Sequence, residues 1–128
     1  MAAKIDELVG KTITEISGGL GDERLVFTCD NGDKYQMIYY DDCCASATLE
    51  DIAGNLEDLK GSPILQAEEA ISENTNPEGV KVPEYQDSYT WTFYKLATVK
   101  GYVTLRWYGE SNGYYSESIT FEKINAQN

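Results

Sequence analysis

Apolar and polar positions alternate along most of this chain. A period of two is the spacing of a strand that turns one face to a core. "KTITEIS" (11–17), "ERLVFTC" (23–29) and "KYQMIYY" (34–40) alternate and are rich in β-branched and aromatic residues, so each is expected to be a strand. The pattern resumes in "SYTWTFYKLATVK" (88–100), "YVTLRWYG" (102–109) and "YYSESITFEKI" (114–124). "KIDELVG" (4–10) reads as a helical turn or lead-in, and "GGLGD" (18–22) as a loop.

Parity constrains the joints. Leu25, Phe27 and Cys29 share one face, as do Tyr35, Met37 and Tyr39. These sets meet across a hairpin only if the loop has an odd number of residues. The loop Asp30-Asn31-Gly32 satisfies this and gives Gly32 the left-handed position. The same reasoning between 102–109 and 114–124 predicts the loop Ser111-Asn112-Gly113, pairing Val103 with Phe121 and Leu105 with Ile119. Lys100-Gly101 reads as a tight reversal.

The middle of the chain is less regular. Leu49, Ile52, Leu56 and Leu59 recur at roughly helical spacing, interrupted by Gly54, and the expectation is a short helix around 55–60, stopped by Gly61 and Pro63. "ILQAEEAISE" (64–73) is open to two readings: Ile64, Leu65 and Ile71 suit a strand and Gln66–Ala70 a helix, and a strand is preferred because the rest of the chain is β. "NTNPEGVKVPEYQD" (74–87), with two prolines and no periodicity, is expected to be a mobile loop. The fold class is mainly β (α+β): one domain over 1–128, an antiparallel meander of about six strands with one short helix.

Parity also sorts the aromatic residues. Val103, Leu105 and Trp107 belong to the core, which leaves Tyr102, Thr104, Arg106 and Tyr108 on the opposite face. Arg and Tyr are enriched where binding energy concentrates, Arg grips carboxylate or phosphate with a planar fork, and Tyr rings stack on bases. Asn112 and Tyr114 at the adjacent turn complete this candidate ligand face. Equally, Tyr and Thr are good strand formers, and Arg106 then only pairs with a nearby carboxylate. The strand 88–100 carries apolar bulk on both faces, as in a strand buried on both sides, and Trp91 is expected in the core.

Charge alters the list of partners. Ten Lys and Arg stand against 22 Asp and Glu, a net charge of −12. Direct nucleic-acid binding and an anionic membrane surface are both disfavoured. Segment 41–78 holds ten of the acids and a single lysine, Lys60. Asp41, Asp42, Glu50, Asp51, Glu57 and Asp58 are therefore candidates for contact with a basic host protein. No His is present, which removes the commonest general base and metal ligand. Cys29, Cys43 and Cys44 form no evident disulfide framework and no zinc motif. No catalytic residue, metal site or cofactor is expected. "MAAKIDELVGKTITEI" has no long apolar run, so a cytoplasmic protein is expected. The exposed Tyr/Arg face is also compatible with a homo-oligomer.

The segment "SYTWTFYKLATVKGYVTLRWYGESNGYYSE", with "DDCCASATLEDI" and "LKGSPILQAEE" upstream, resembles a family of small proteins encoded mainly by bacteriophages and prophages, a domain of unknown function. The likeness runs from Leu8 to Ile124. It implies action in the bacterial host cytoplasm, against host defence or on host machinery, and it carries over no catalytic residues. Two non-enzymatic roles fit, and an unrecognised enzyme ranks third. One is sequestration of a nucleotide-derived signal on the Tyr102/Arg106/Tyr108 face. The other is an acidic, DNA-mimic-like decoy for a basic host protein.

Overall fold

The computed structural model describes residues 3–40, 45–76, 88–111 and 117–124. Eight strands follow in order: β1 (Ile13–Ser17), β2 (Arg24–Cys29), β3 (Lys34–Ile38), β4 (Ser46–Ala53), β5 (Gln66–Glu73), β6 (Ser88–Thr98), β7 (Gly101–Ser111) and β8 (Thr120–Ile124). Among the described residues there are thus eight strands, not about six, and they form not one meander but two four-stranded antiparallel sheets, β1-β2-β3-β8 and β4-β7-β6-β5, because the bulged β4 adds a strand that alternation hides and β8 crosses to the first sheet. The helical content of the described residues is two 3₁₀ turns, Ile5–Leu8 and Leu56–Leu59. No helix among them is long and apolar enough to cross a membrane.

The two sheets share one core. Leu25, Phe27, Tyr35 and Met37 from the first sheet meet Tyr94, Leu96, Leu105 and Trp107 from the second in one buried cluster. Tyr94 and Phe121 touch across the layers, ring centroids 6.5 Å apart. Period-two alternation delivers this directly: β2 buries Leu25, Phe27 and Cys29 and leaves the residues between them more open.

The first hairpin forms as parity requires. Leu25 pairs with Met37 and Phe27 with Tyr35, and Asp30-Asn31-Gly32 is the three-residue loop, with Gly32 at φ 91°. The second does not. Phe121 pairs with Met37 of β3, not with Val103, because β8 joins the first sheet and β7 lies between β4 and β6 in the second. Parity assigned Val103, Leu105 and Phe121 correctly to the core side, but it cannot choose between a neighbour in the same sheet and one across the core. Ser111 ends β7 and is buried rather than part of a loop. Residues 112–116 lie outside the described residues, as do 41–44 and the part of the expected loop beyond residue 76.

Strand β4 replaces the start of the expected helical stretch. Leu49 pairs with Trp107, Asp51 with Arg106 and Ile52 with Leu105, so Glu50 is the extra residue of a bulge. The bulge moves Leu49 and Ile52, three residues apart, to the same side of the strand. That spacing mimics a helix in the sequence. The helix expected at 55–60 is reduced to the 3₁₀ turn Leu56–Leu59, where the Asn55 side chain accepts from the Glu57 amide.

Gly54 ends β4 at φ 107°, and a β-carbon there would stand 2.5 Å from the carbonyl oxygen of Tyr102. Gly54→Ala is expected to lower unfolding free energy by about 1–3 kcal/mol. Gly19→Ala, with no atom near the added carbon, should change it by less than about 0.5 kcal/mol. Urea denaturation of the two variants checks the contrast.

Candidate functional site

Strands β6 and β7 form the centre of the second sheet, paired from Ser88–Ser111 to Thr98–Gly101 without interruption. Both are buried on the side facing the first sheet, so chemistry is available on the outer face. There the register sets Trp91 beside Tyr108, Phe93 beside Arg106, Lys95 beside Thr104 and Ala97 beside Tyr102. On one flank β5 adds Ala70 beside Phe93 and Glu68 beside Lys95; on the other, β4 adds Asp51 beside Arg106.

Four of these residues make a square: a ring (Phe93), a hydroxyl (Thr104) and two cations (Lys95, Arg106) at alternate corners. With Ala70 they line an open groove of about 500 Å³. Arg106 donates from Nη1 to Asp51 Oδ2 at 2.7 Å. A guanidinium has five N–H donors, and a half-exposed pair of this kind contributes little to stability. Among the described residues Lys95 has no carboxylate within 4.0 Å. Glu68, directly opposite it, accepts instead from the Gln66 side-chain amide.

The residues proposed from the sequence are divided by the structure. Tyr102 is 73% exposed at the end of the row. Arg106 is half-buried and faces the groove. Tyr108, expected as part of an open face, is buried: its ring packs 4.9 Å from Trp91 and its hydroxyl donates to Glu110 Oε2 at 3.0 Å. The cause is the register, which puts the two largest outer-face aromatics side by side. Trp91 is buried, but on this outer face rather than in the core between the sheets, and its Nε1 donates to Asn76 Oδ1 at 3.0 Å. Asn112, Tyr114, Asp41 and Asp42 lie outside the described residues.

The remaining acidic candidates have intramolecular contacts. Glu50 accepts from Thr48 Oγ1 at 2.7 Å, Glu57 pairs with Lys60 at 3.0 Å, and the Asp58 carbonyl accepts from Thr98 Oγ1 at 2.6 Å. Asp51 and Arg106 come from the two separate candidate sets and meet in one ion pair.

Sequence reasoning placed Thr104 on this face but missed Phe93 and Lys95. A signal existed: carrying parity across the reversal at residues 99–100, which pairs Thr98 with Gly101, puts Phe93 opposite Arg106. It also missed Glu117, a buried carboxylate that accepts from Thr90 Oγ1 at 2.8 Å and Ser111 Oγ at 2.5 Å. Gly109 makes room for it, since a β-carbon there would meet the Glu117 carbonyl oxygen at 2.5 Å. Cys29 is buried, and desolvation raises its thiol pKa, the opposite of what a nucleophile needs. Among the described residues no cluster of three Cys, Asp or Glu is arranged to hold a metal ion.

On the outer face of the first sheet a polar chain runs across three strands. Arg24 Nε donates to Gln36 Oε1 at 2.7 Å, Gln36 Nε2 to Glu122 Oε2 at 2.5 Å, and the Tyr40 hydroxyl to the same Glu122 oxygen. The Tyr40 hydrogen bond, more than any other contact, holds the Glu122 carboxyl below its ordinary pKa. A folded pKa below the unfolded one contributes stability above the unfolded carboxylate value, and that contribution is lost as pH falls through the folded value. Tyr40→Phe is therefore expected to lower Tm at neutral pH, with the gap to wild type closing on the acid side. Thermal melts of both proteins across that range test this; a gap that persists in acid contradicts it.

A family model, the domain of unknown function (DUF7448), matches residues 6–121. No curated protein and no solved structure matches the chain.

Proposed function

For a chain that belongs to the family of the domain of unknown function DUF7448, we propose a non-enzymatic binding role, in which the outer groove of the second sheet sequesters a small nucleotide-derived anion. The observation that carries this reading is the square of Phe93, Lys95, Thr104 and Arg106 around one open groove. A nucleotide combines a flat ring with phosphate. Phe93 and the exposed Tyr102 offer ring faces, Arg106 and Lys95 offer charge-assisted donors, and Thr104 offers a hydroxyl. In a chain of net charge −12, two neighbouring cations on one face are a local exception to the overall field.

The resemblance to phage- and prophage-encoded proteins supports the setting. In this reading the ligand is an immune signal of the bacterial host, and the protein acts in the host cytoplasm as a counter-defence sponge. The alternative, an acidic decoy built on Glu50, Asp51, Glu57 and Asp58, has less support. Asp51 and Glu57 are already paired with cations of the same chain.

Calorimetry against a panel of cyclic and ADP-ribose-type nucleotides tests the proposal. Wild type is expected to bind at least one of them. Arg106→Ala and Lys95→Ala should each weaken that binding about tenfold or more while leaving the circular dichroism spectrum unchanged. No heat with wild type across the panel sinks the reading.

A further inference from the structure

Each sheet has two edges, and three of the four are closed or interrupted. β4 is bulged, and Leu49 exchanges main-chain bonds with residues 21–22: Gly21 N donates to Leu49 O at 2.8 Å, and Leu49 N to Asp22 O at 2.9 Å. On the edge of β8, Ala3 N donates to Phe121 O at 3.1 Å. β1 has five residues and a register shift, and Gly61 N donates to Ile13 O at 2.9 Å.

β5 differs. Its eight residues pair with β6 in unbroken register from Gln66–Ala97 to Glu73–Thr90. Asn74 N donates to Tyr89 O at 2.8 Å, which fixes the parity of the ladder. Gln66, Glu68, Ala70 and Ser72 turn their main-chain groups toward β6, and Ala67, Glu69, Ile71 and Glu73 turn theirs outward. Ala67 is buried, where residues 3–6 and 67–69 line a common groove, and the Glu73 carbonyl accepts from Thr75 Oγ1 at 3.4 Å. Among the described residues Glu69 and Ile71 make no main-chain hydrogen bond on the open side, and neither does the Glu73 amide. An unpaired, regular edge is a template for one more strand.

We propose that β5 is a docking edge for an extended segment of another protein, one that carries Lys or Arg on either side of an apolar residue at alternate positions. Charge and spacing select this occupant. Glu69, Ile71 and Glu73 share one side of β5 and are exposed, Ile71 at 55%. A strand laid beside them sets its alternate side chains against acid, apolar and acid in turn. β5 carries no Lys or Arg, and among the described residues its three glutamates form no ion pair. A second copy of this chain is the wrong occupant. It would bring three more glutamates to the same edge and join two bodies of net charge −12.

The probe is a short acetylated peptide with lysine, valine and lysine at alternate positions and threonine between them. Amide hydrogen exchange, read by NMR on the whole chain, is expected to slow at Glu69, Ile71 and Glu73 when the peptide is added. Glu68, Ala70 and Ser72, already bonded to β6, should change little. Ile71→Pro removes an outward N–H without touching the β6 ladder and should weaken binding about tenfold. If that variant fails to fold, the same peptide N-methylated on its pairing amides supplies the comparison and should bind at least about tenfold more weakly to wild type. The idea is overturned if the peptide does not bind at low salt, or if protection is uniform along β5. It is also overturned if the N-methylated peptide binds equally well, which would mean charge adhesion alone, or if sedimentation shows the chain pairing with itself through β5.

Discussion

The β6–β7 ladder is the constraint on which the rest of the molecule depends. Eleven residue pairs run from Ser88–Ser111 to Thr98–Gly101 with no bulge. That register sends Tyr94, Leu96, Leu105 and Trp107 inward and Phe93, Lys95, Thr104 and Arg106 outward. The core and the groove are thus two faces of one register. A slip by one residue would exchange them, burying two cations and exposing Trp107. The large inner side chains hold the register, and the outer groups need only occupy what it leaves.

The contrast between the two sides explains how much could be read beforehand. Alternation placed six of the eight strands, as with Leu25, Phe27, Tyr35, Met37, Val103 and Leu105, which sit in a period of two; β5 has no such alternation and is favoured as a strand only because the rest of the chain is β. β4 was hidden because the Glu50 bulge breaks that period. The β2–β3 hairpin could be read because a loop of one odd length satisfied both apolar sets. The partner of β8 could not be read, because Phe121 is equally apolar beside Met37 or opposite Tyr94. Half of the groove was legible: Arg106 stood out as a rare guanidinium among tyrosines. Lys95 and Phe93 did not, since their significance lies only in the residue across the ladder.

Charge is arranged by the same logic. Ten of the 22 acids lie in segment 41–78, and the structure distributes those it describes rather than massing them. Asp51 steadies Arg106 and Glu57 meets Lys60; Glu68 flanks Lys95 on the outer face, while Glu69 and Glu73, in register with Tyr94 and Thr90, lie on the other side of β5. The outer face of the second sheet therefore changes character over a few residues, from cations at its centre to carboxylates at its rim. A net charge of −12 conceals this. An anionic ligand and a basic peptide would each find their own part of one sheet.

The pairing of β8 with β3 has a consequence for how the molecule forms. Gln36 and Glu122 stand side by side although 86 residues separate them, and the whole second sheet lies between. The first sheet thus cannot be completed until the chain has gone out through the other layer and returned. Closing so long a loop costs entropy before any contact repays it, and pairings of this kind put folding in the range of roughly milliseconds to seconds. Until β8 arrives, β3 has a bare edge and Met37 lacks its partner. The first layer waits on the last strand, and the slowest part of folding is its arrival.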